Sequence, residues 1–210
     1  MKKIVFIGAG SIIFVKNLIV DCMLTPSLCD SEFALLDINR EKLYLAEGML
    51  KNLNRNVNGG RATVKAYESQ REALAGADFV INAIQVGGYD PCIINDFEIP
   101  LKYGLRQTYA DTLGIGGIMR GLRTISVMKC ITDDMEELCP NAWLLNYTNP
   151  MAIVTGAVLK SSSIKTIGLC HSVQSCTKNL MDVVGIDCTG VEYKIAGINH
   201  QAWLLEVTKD

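Results

Sequence analysis

The chain has 210 residues, of which 49% are hydrophobic and 20% charged, with a formal net charge of −2; this is the makeup of an ordinary soluble protein with enough apolar residues for one good core. Its basic residues form no run or stripe, so phosphate-backbone binding lacks its electrostatic footprint and no nucleic-acid partner is expected. Lys2 and Lys3 precede only four apolar residues before a glycine, too few for a secretory leader or a spanning helix. The eight cysteines are dispersed without a Cys-x-x-Cys pair, so a cytoplasmic protein with free thiols and no membrane partner is expected.

The first element is the apolar run Ile4-Val5-Phe6-Ile7, which breaks into Gly8-Ala9-Gly10-Ser11. Bulky β-branched and aromatic residues suit a strand covered on both faces, and the glycines permit a tight turn close to a phosphate. Ile12, Val15, Leu18, Ile19 and Met23 then follow helical spacing, so the turn delivers a helix N-terminus, which is an anion site. Gly8, Gly10 and Ser11 are therefore candidate cofactor contacts. The fingerprint is only half complete, because Ile13 stands where a third small residue is usual. A second strand, Phe33–Leu36, ends at Asp37, where a carboxylate accepts the hydroxyls of an adenosine ribose and repels the extra phosphate of NADP. NAD is favoured on that ground; the plainer alternative is that Asp37 caps the helix spanning Asn39 to Leu53.

Thr63–Tyr67 predicts a third strand and Ala77–Ile84 a fourth, which runs into Gln85-Val86-Gly87-Gly88. A glycine-bearing loop at the carboxyl edge of a parallel sheet either holds the second half of the cofactor, with Gln85 as a candidate contact, or is a plain connection. The cluster Gly114-Ile115-Gly116-Gly117 opens a long amphipathic helix expected over about 118–138. Ala142–Asn146 and Ile164–Leu169 are the fifth and sixth strands, and Asn146 is a further candidate cofactor contact. Asn149 follows the fifth strand beside Pro150, which stops the strand and prepares a helix start. Six strands interleaved with helices predict an α/β fold, a Rossmann-like doubly wound parallel sheet. The sixth strand ends in Cys170-His171-Ser172, and a strand-like stretch at 192–198 ends in Asn199-His200. A cysteine and a histidine thirty positions apart make a weak metal signal, and spacing alone favours a buried thiol and an ordinary imidazole.

The blocks IGAGSIIFVKNL, VGGYDP, DFEIPLKYGLRQTYADTLGIGGIMRGLRT, NYTNPMAI, GLCHSVQ and GINHQAW together resemble the NAD- and divalent-metal-dependent glycosidases of glycoside hydrolase family 4, and among them the α-galactosidases. That family stands apart from two-carboxylate glycoside hydrolysis. The resemblance implies that Cys170 and His200 bind the metal, usually Mn2+, that Asn149 contacts the sugar, and that His171 stands where relatives acting on phosphorylated sugars carry an aspartate acid. Asp111, in the third block, joins His171 and Asn149 as a candidate catalytic residue. Ile93 and Ile94 occupy the neighbourhood where phospho-sugar enzymes hold a phosphate with arginine, so an unphosphorylated small-molecule galactoside is expected.

The implied reaction is NAD-dependent oxidation at C3, metal-assisted deprotonation at C2, elimination of the C1 group and return of the hydride, with no net redox change. Family members run to roughly twice this length, and their proposed base, a tyrosine, lies beyond the present chain. Residues 1–185 are thus expected to form the NAD-binding domain and 186–210 the start of an α+β substrate domain, in a homo-oligomer. A non-catalytic NAD-binding fragment and a 2-hydroxy-acid dehydrogenase are the two other readings; the latter has no use for Cys170-His171.

Overall fold

A computed structural model describes residues 1–107 and 112–209. Six strands, β1 (Lys3–Ile7), β2 (Glu32–Leu36), β3 (Thr63–Tyr67), β4 (Phe79–Asn82), β5 (Trp143–Asn146) and β6 (Lys165–Gly168), form one parallel sheet in the order β3-β2-β1-β4-β5-β6. Helices α1 (Ile12–Leu24), α2 (Arg40–Asn58), α3 (Gln70–Leu74), α4 (Ile94–Lys102), α5 (Gly114–Leu138), α6 (Met151–Ser161) and α7 (Ser172–Val184) connect or follow the strands. The chain then closes with an antiparallel hairpin, β7 (Val191–Ile198) and β8 (Gln201–Lys209). Among the described residues, no helix is long and apolar enough to cross a membrane.

The alternation along each strand explains the layers. Ile4 and Phe6 of β1 pack with Val15, Ile19 and Met23 of α1 and with Leu43 and Leu50 of α2 on one face. Val5 and Ile7 pack with Val80, Leu144, Met128 and Met135 on the other, against α5 and α6. Each fully buried side chain of this size contributes about 1.5–3 kcal/mol over leaving it in water. A sheet covered on both faces needs apolar residues at every strand position, which is why β1 and β2 read as continuous hydrophobic runs.

Helix α5 begins at Gly114, earlier than the expected start near residue 118. The glycines are part of the helix because it runs against other backbone: a Cβ on Gly117 would lie 2.5 Å from the carbonyl of Thr112. The partner strand β8 was not apparent from its residues. Asn39, not Asp37, caps α2, accepting the Lys42 amide at 3.0 Å.

Candidate functional site

Register brings the functional segments to one edge. Ile7 pairs with Leu36 and Asn82, Leu36 with Tyr67, Asn82 with Asn146, and Asn146 with Gly168, so all six strands end level. Beyond those ends lie the Gly8 turn, Asp37, Gln85, Asn149 and Cys170. The strand order reverses between β1 and β4, the crevice where open α/β sheets take their ligands.

At that crevice the glycine turn is required by geometry. Gly8 has φ +95°, and a Cβ there would lie 2.6 Å from the Ala83 carbonyl oxygen. A Cβ on Gly10 would lie 2.7 Å from the Asp37 carboxylate. Instead the Gly10 amide donates to Asp37 Oδ2 at 2.6 Å, while the Asn39 amide donates to Oδ1 at 2.8 Å, and the two bonds fix the carboxylate at the end of β2. Ser11 is exposed at the N-cap of α1 with its hydroxyl unused for capping, and the first turn of α1 holds no acid to neutralise the helix end. Ile13 is exposed, so the position that is usually small faces away from the sheet. This cradle fits a dinucleotide: glycine-shaped space for a pyrophosphate, unused amides at a helix start, and a fixed carboxylate for a ribose.

The second half of the site is the pair Cys170 and His200. Cys170 follows β6 at the start of α7, and its Sγ accepts the Ser172 amide at 3.4 Å and lies 3.0 Å from Ser172 Oγ. These groups complement a metal-bound thiolate. His200 occupies the turn between β7 and β8 in the left-handed region, with φ +65°. The turn carries its Nε2 to 3.8 Å from Cys170 Sγ. A shared metal at ordinary bond lengths to thiolate and imidazole would set its two ligands about 3.6 Å apart. The donor set therefore fits a divalent metal. Thiolate is softer than Mn2+ prefers, so such an ion would draw on oxygen donors at its open positions. Both residues line one cleft of about 680 Å³ with Gly168, Ser172, Asn199 and Met151. Among the described residues, no three His, Cys, Asp or Glu side chains gather into a closed cage.

The remaining candidates divide. His171 is exposed at the N-cap of α7, and Asn149 is half-buried beside Pro150; neither is among the residues lining that cleft. Gln85 is exposed at the carboxyl end of β4. Asp111 lies outside the described residues. Asn146 sits deeper than the others. Its side chain is fully buried and committed: Oδ1 accepts from Asn82 Nδ2 and the Thr148 amide, while Nδ2 donates to Thr155 Oγ1 and the Thr148 carbonyl. It has no group left for a ligand and instead holds the β5 loop that carries Asn149. Tyr147, on the same loop, stacks edge-to-face on Phe14 at 5.0 Å, and burial pushes its phenol pKa up. Sequence reasoning also missed the ion pair of Asp96 with Arg123. Both residues stood within recognised blocks, but nothing in their separation shows that they meet.

The description "Family 4 glycosyl hydrolase" matches residues 3–186. The chain belongs to glycosyl hydrolase family 4. It is 60% identical to an α-galactosidase of Bacillus subtilis over its whole length, which is 48% of that relative. It superposes with TM-score 0.84 and 27% identity on a 6-phospho-β-glucosidase of Thermotoga maritima, solved with manganese, NAD+ and glucose-6-phosphate, covering 99% of this chain and 49% of that one. A lactate dehydrogenase of Eimeria maxima, at 17% identity and TM-score 0.66, shares the fold, with 99% of this chain and 57% of the other covered. The family 4 chain thus spans about half the length of the relatives it matches.

Proposed function

We propose that this chain supplies the NAD- and metal-binding part of an enzyme that hydrolyses α-galactosides. The observation that carries the reading is the meeting, at one sheet edge, of a dinucleotide cradle and a cysteine–histidine pair spaced for a single ion. In a plain dehydrogenase the second feature has no use; in a glycosidase that works through transient oxidation both are needed. The 60% identity to an α-galactosidase supports the galactoside over other glycosides.

The chain's residues divide the work. The turn at Gly8, Gly10 and Ser11 receives the pyrophosphate, and Asp37 accepts the ribose hydroxyls and disfavours a 2′-phosphate. Gln85, at the end of β4, faces the nicotinamide half. Cys170 and His200 would hold the metal, which would supply Lewis acidity to the sugar. When bound, NAD and the metal supply a hydride acceptor for C3 and a Lewis acid that acidifies the proton at C2. Asn149 and His171 follow β5 and β6 at the same sheet edge as Cys170, outside the cleft lining, and the family pattern gives them the sugar contact and the acid.

Release of nitrophenol from an aryl α-galactoside, with NAD, Mn2+ and a thiol reductant present and then each withdrawn, tests this reading. Turnover that requires NAD and metal without accumulating NADH is the expected result once the chain is supplied with the C-terminal half that its relatives carry. Steady NADH formation from a 2-hydroxy acid would replace it with a dehydrogenase. Binding of NAD with no turnover would reduce the chain to a cofactor-binding fragment.

A further inference from the structure

The loop that leaves β4 is pinned from beneath. Gly87 has φ +86°, and the space a Cβ would take there is filled by Cys92 Sγ, with Arg123 Nε at 3.4 Å. Arg123, on α5, donates from Nε to the Val86 carbonyl at 3.3 Å. Its two terminal nitrogens reach the Asp96 carboxylate of α4, Nη2 to Oδ2 at 2.7 Å and Nη1 to Oδ1 at 3.3 Å. Asp96 is 1% exposed, so its charge depends on this partner. A planar guanidinium spans carboxylate and carbonyl together, whereas an ammonium offers a single point of charge. The pair therefore does more than neutralise a buried acid: it ties the Gln85–Gly88 loop to two helices at the half of the crevice opposite Asp37.

We infer that Arg123 is a positioning residue for the nicotinamide half of the cofactor, acting through the Val86 carbonyl while Asp96 anchors its guanidinium. The inference rests on the reading that the crevice binds NAD. The adenosine half lies over β1 and β2, where Asp37 and the glycine turn hold it. The nicotinamide half lies over β4, where the loop held by Arg123 forms the wall. Fixing that wall raises affinity for the whole dinucleotide and does nothing for a ligand that stops at the second ribose.

The experiment is calorimetric titration of the 210-residue chain with NAD and, separately, with ADP-ribose, which lacks the nicotinamide. The wild type is expected to bind NAD more tightly than ADP-ribose. Arg123→Lys keeps a cation beside Asp96 but loses the bond to Val86. It is expected to weaken NAD about tenfold, the effect of one lost charge-assisted hydrogen bond, and to leave ADP-ribose within about twofold. Should circular dichroism show that Arg123→Lys does not fold, the double variant Arg123→Met with Asp96→Asn removes both charges together and is read on the same two ligands. Equal weakening of both ligands, or of neither, overturns the positioning role. So does a wild type that prefers NAD no more than ADP-ribose. A wild type that binds neither ligand overturns the cofactor reading itself, and this role with it.

Discussion

The parallel sheet and the β7–β8 hairpin are built from similar residues and end in opposite states. In β1 four of five residues are buried, because α1 and α2 cover one face and α5 and α6 the other. In β7 and β8 no residue is buried, and Trp203 and Leu205 are 71% and 66% exposed. The adjoining helix α7 leaves Val183 and Val184 uncovered as well. A lone two-stranded hairpin is marginal in water, and it leaves these large apolar side chains in solvent. The sheet is self-sufficient, whereas the hairpin needs a neighbour. The Cys170–His200 contact, proposed as the metal pair, joins the two regions, with Cys170 on the sheet edge and His200 on the hairpin.

The sharpest way to break this contrast is to compare one truncation in each region. Leu144→Ala, in a fully buried position, is expected to cost about 2–5 kcal/mol in urea unfolding. Trp203→Ala removes a larger side chain and is expected to cost no more than about 0.5 kcal/mol. Similar costs for the two would mean that the hairpin is covered in solution.

Next in size is Cys170→Ser. It is expected to weaken Mn2+ binding by roughly a hundredfold, at the upper end of what disturbing a metal site costs, while NAD affinity stays near wild type. Manganese paramagnetic resonance and calorimetry read the two separately. Equal loss of both would contradict a division between the glycine turn and the Cys170–His200 pair. A smaller effect tests the bridge between the regions. Backbone amides of β8 are expected to exchange with solvent faster than those of β1, and Mn2+ is expected to slow β8 by holding His200 to Cys170. Exchange in β8 that is indifferent to the metal would remove His200 from the ligand set.

The same contrast explains what could be read from the residues. The central strands β1, β2 and β4, covered on both faces, announce themselves as apolar runs, the edge strands β3 and β6 were legible from short β-branched stretches between turns, and Asp37 stood out because it follows an apolar run. The start of α5 was not legible, since Gly114, Gly116 and Gly117 read as a loop until the Thr112 backbone is seen against Gly117. Strand β8 lacks a covered face and therefore a burial pattern to read. An amide at a strand end looks like a ligand contact, and only the fold shows that Asn82 and Thr155 bond the Asn146 side chain. The Cys170–His200 pair carried meaning through family resemblance, because thirty intervening residues give no metric of their own. Asp96 and Arg123 meet only through the packing of α4 on α5.

The smallest prediction asks whether polar bonds at the edge of the sheet add to its self-sufficiency. Tyr67 ends the edge strand β3 and donates its hydroxyl to Glu32 Oε1 at 2.8 Å, with Lys65 Nζ 4.4 Å from the ring centroid. Burial first, and then the Glu32 carboxylate beside it, push its pKa up to about 12. The fold thus favours the neutral phenol. That contribution is complete below the ordinary value near 10 and is lost as pH rises through about 12, because the unfolded chain ionises first and gains from doing so. Tyr67→Phe is expected to cost about 0.5–1.5 kcal/mol at neutral pH, the net value of one hydrogen bond. Urea unfolding of both proteins across that interval should show the gap between them closing as the wild type loses its advantage. A constant gap would assign the cost to ring packing and leave the hydroxyl bond without weight.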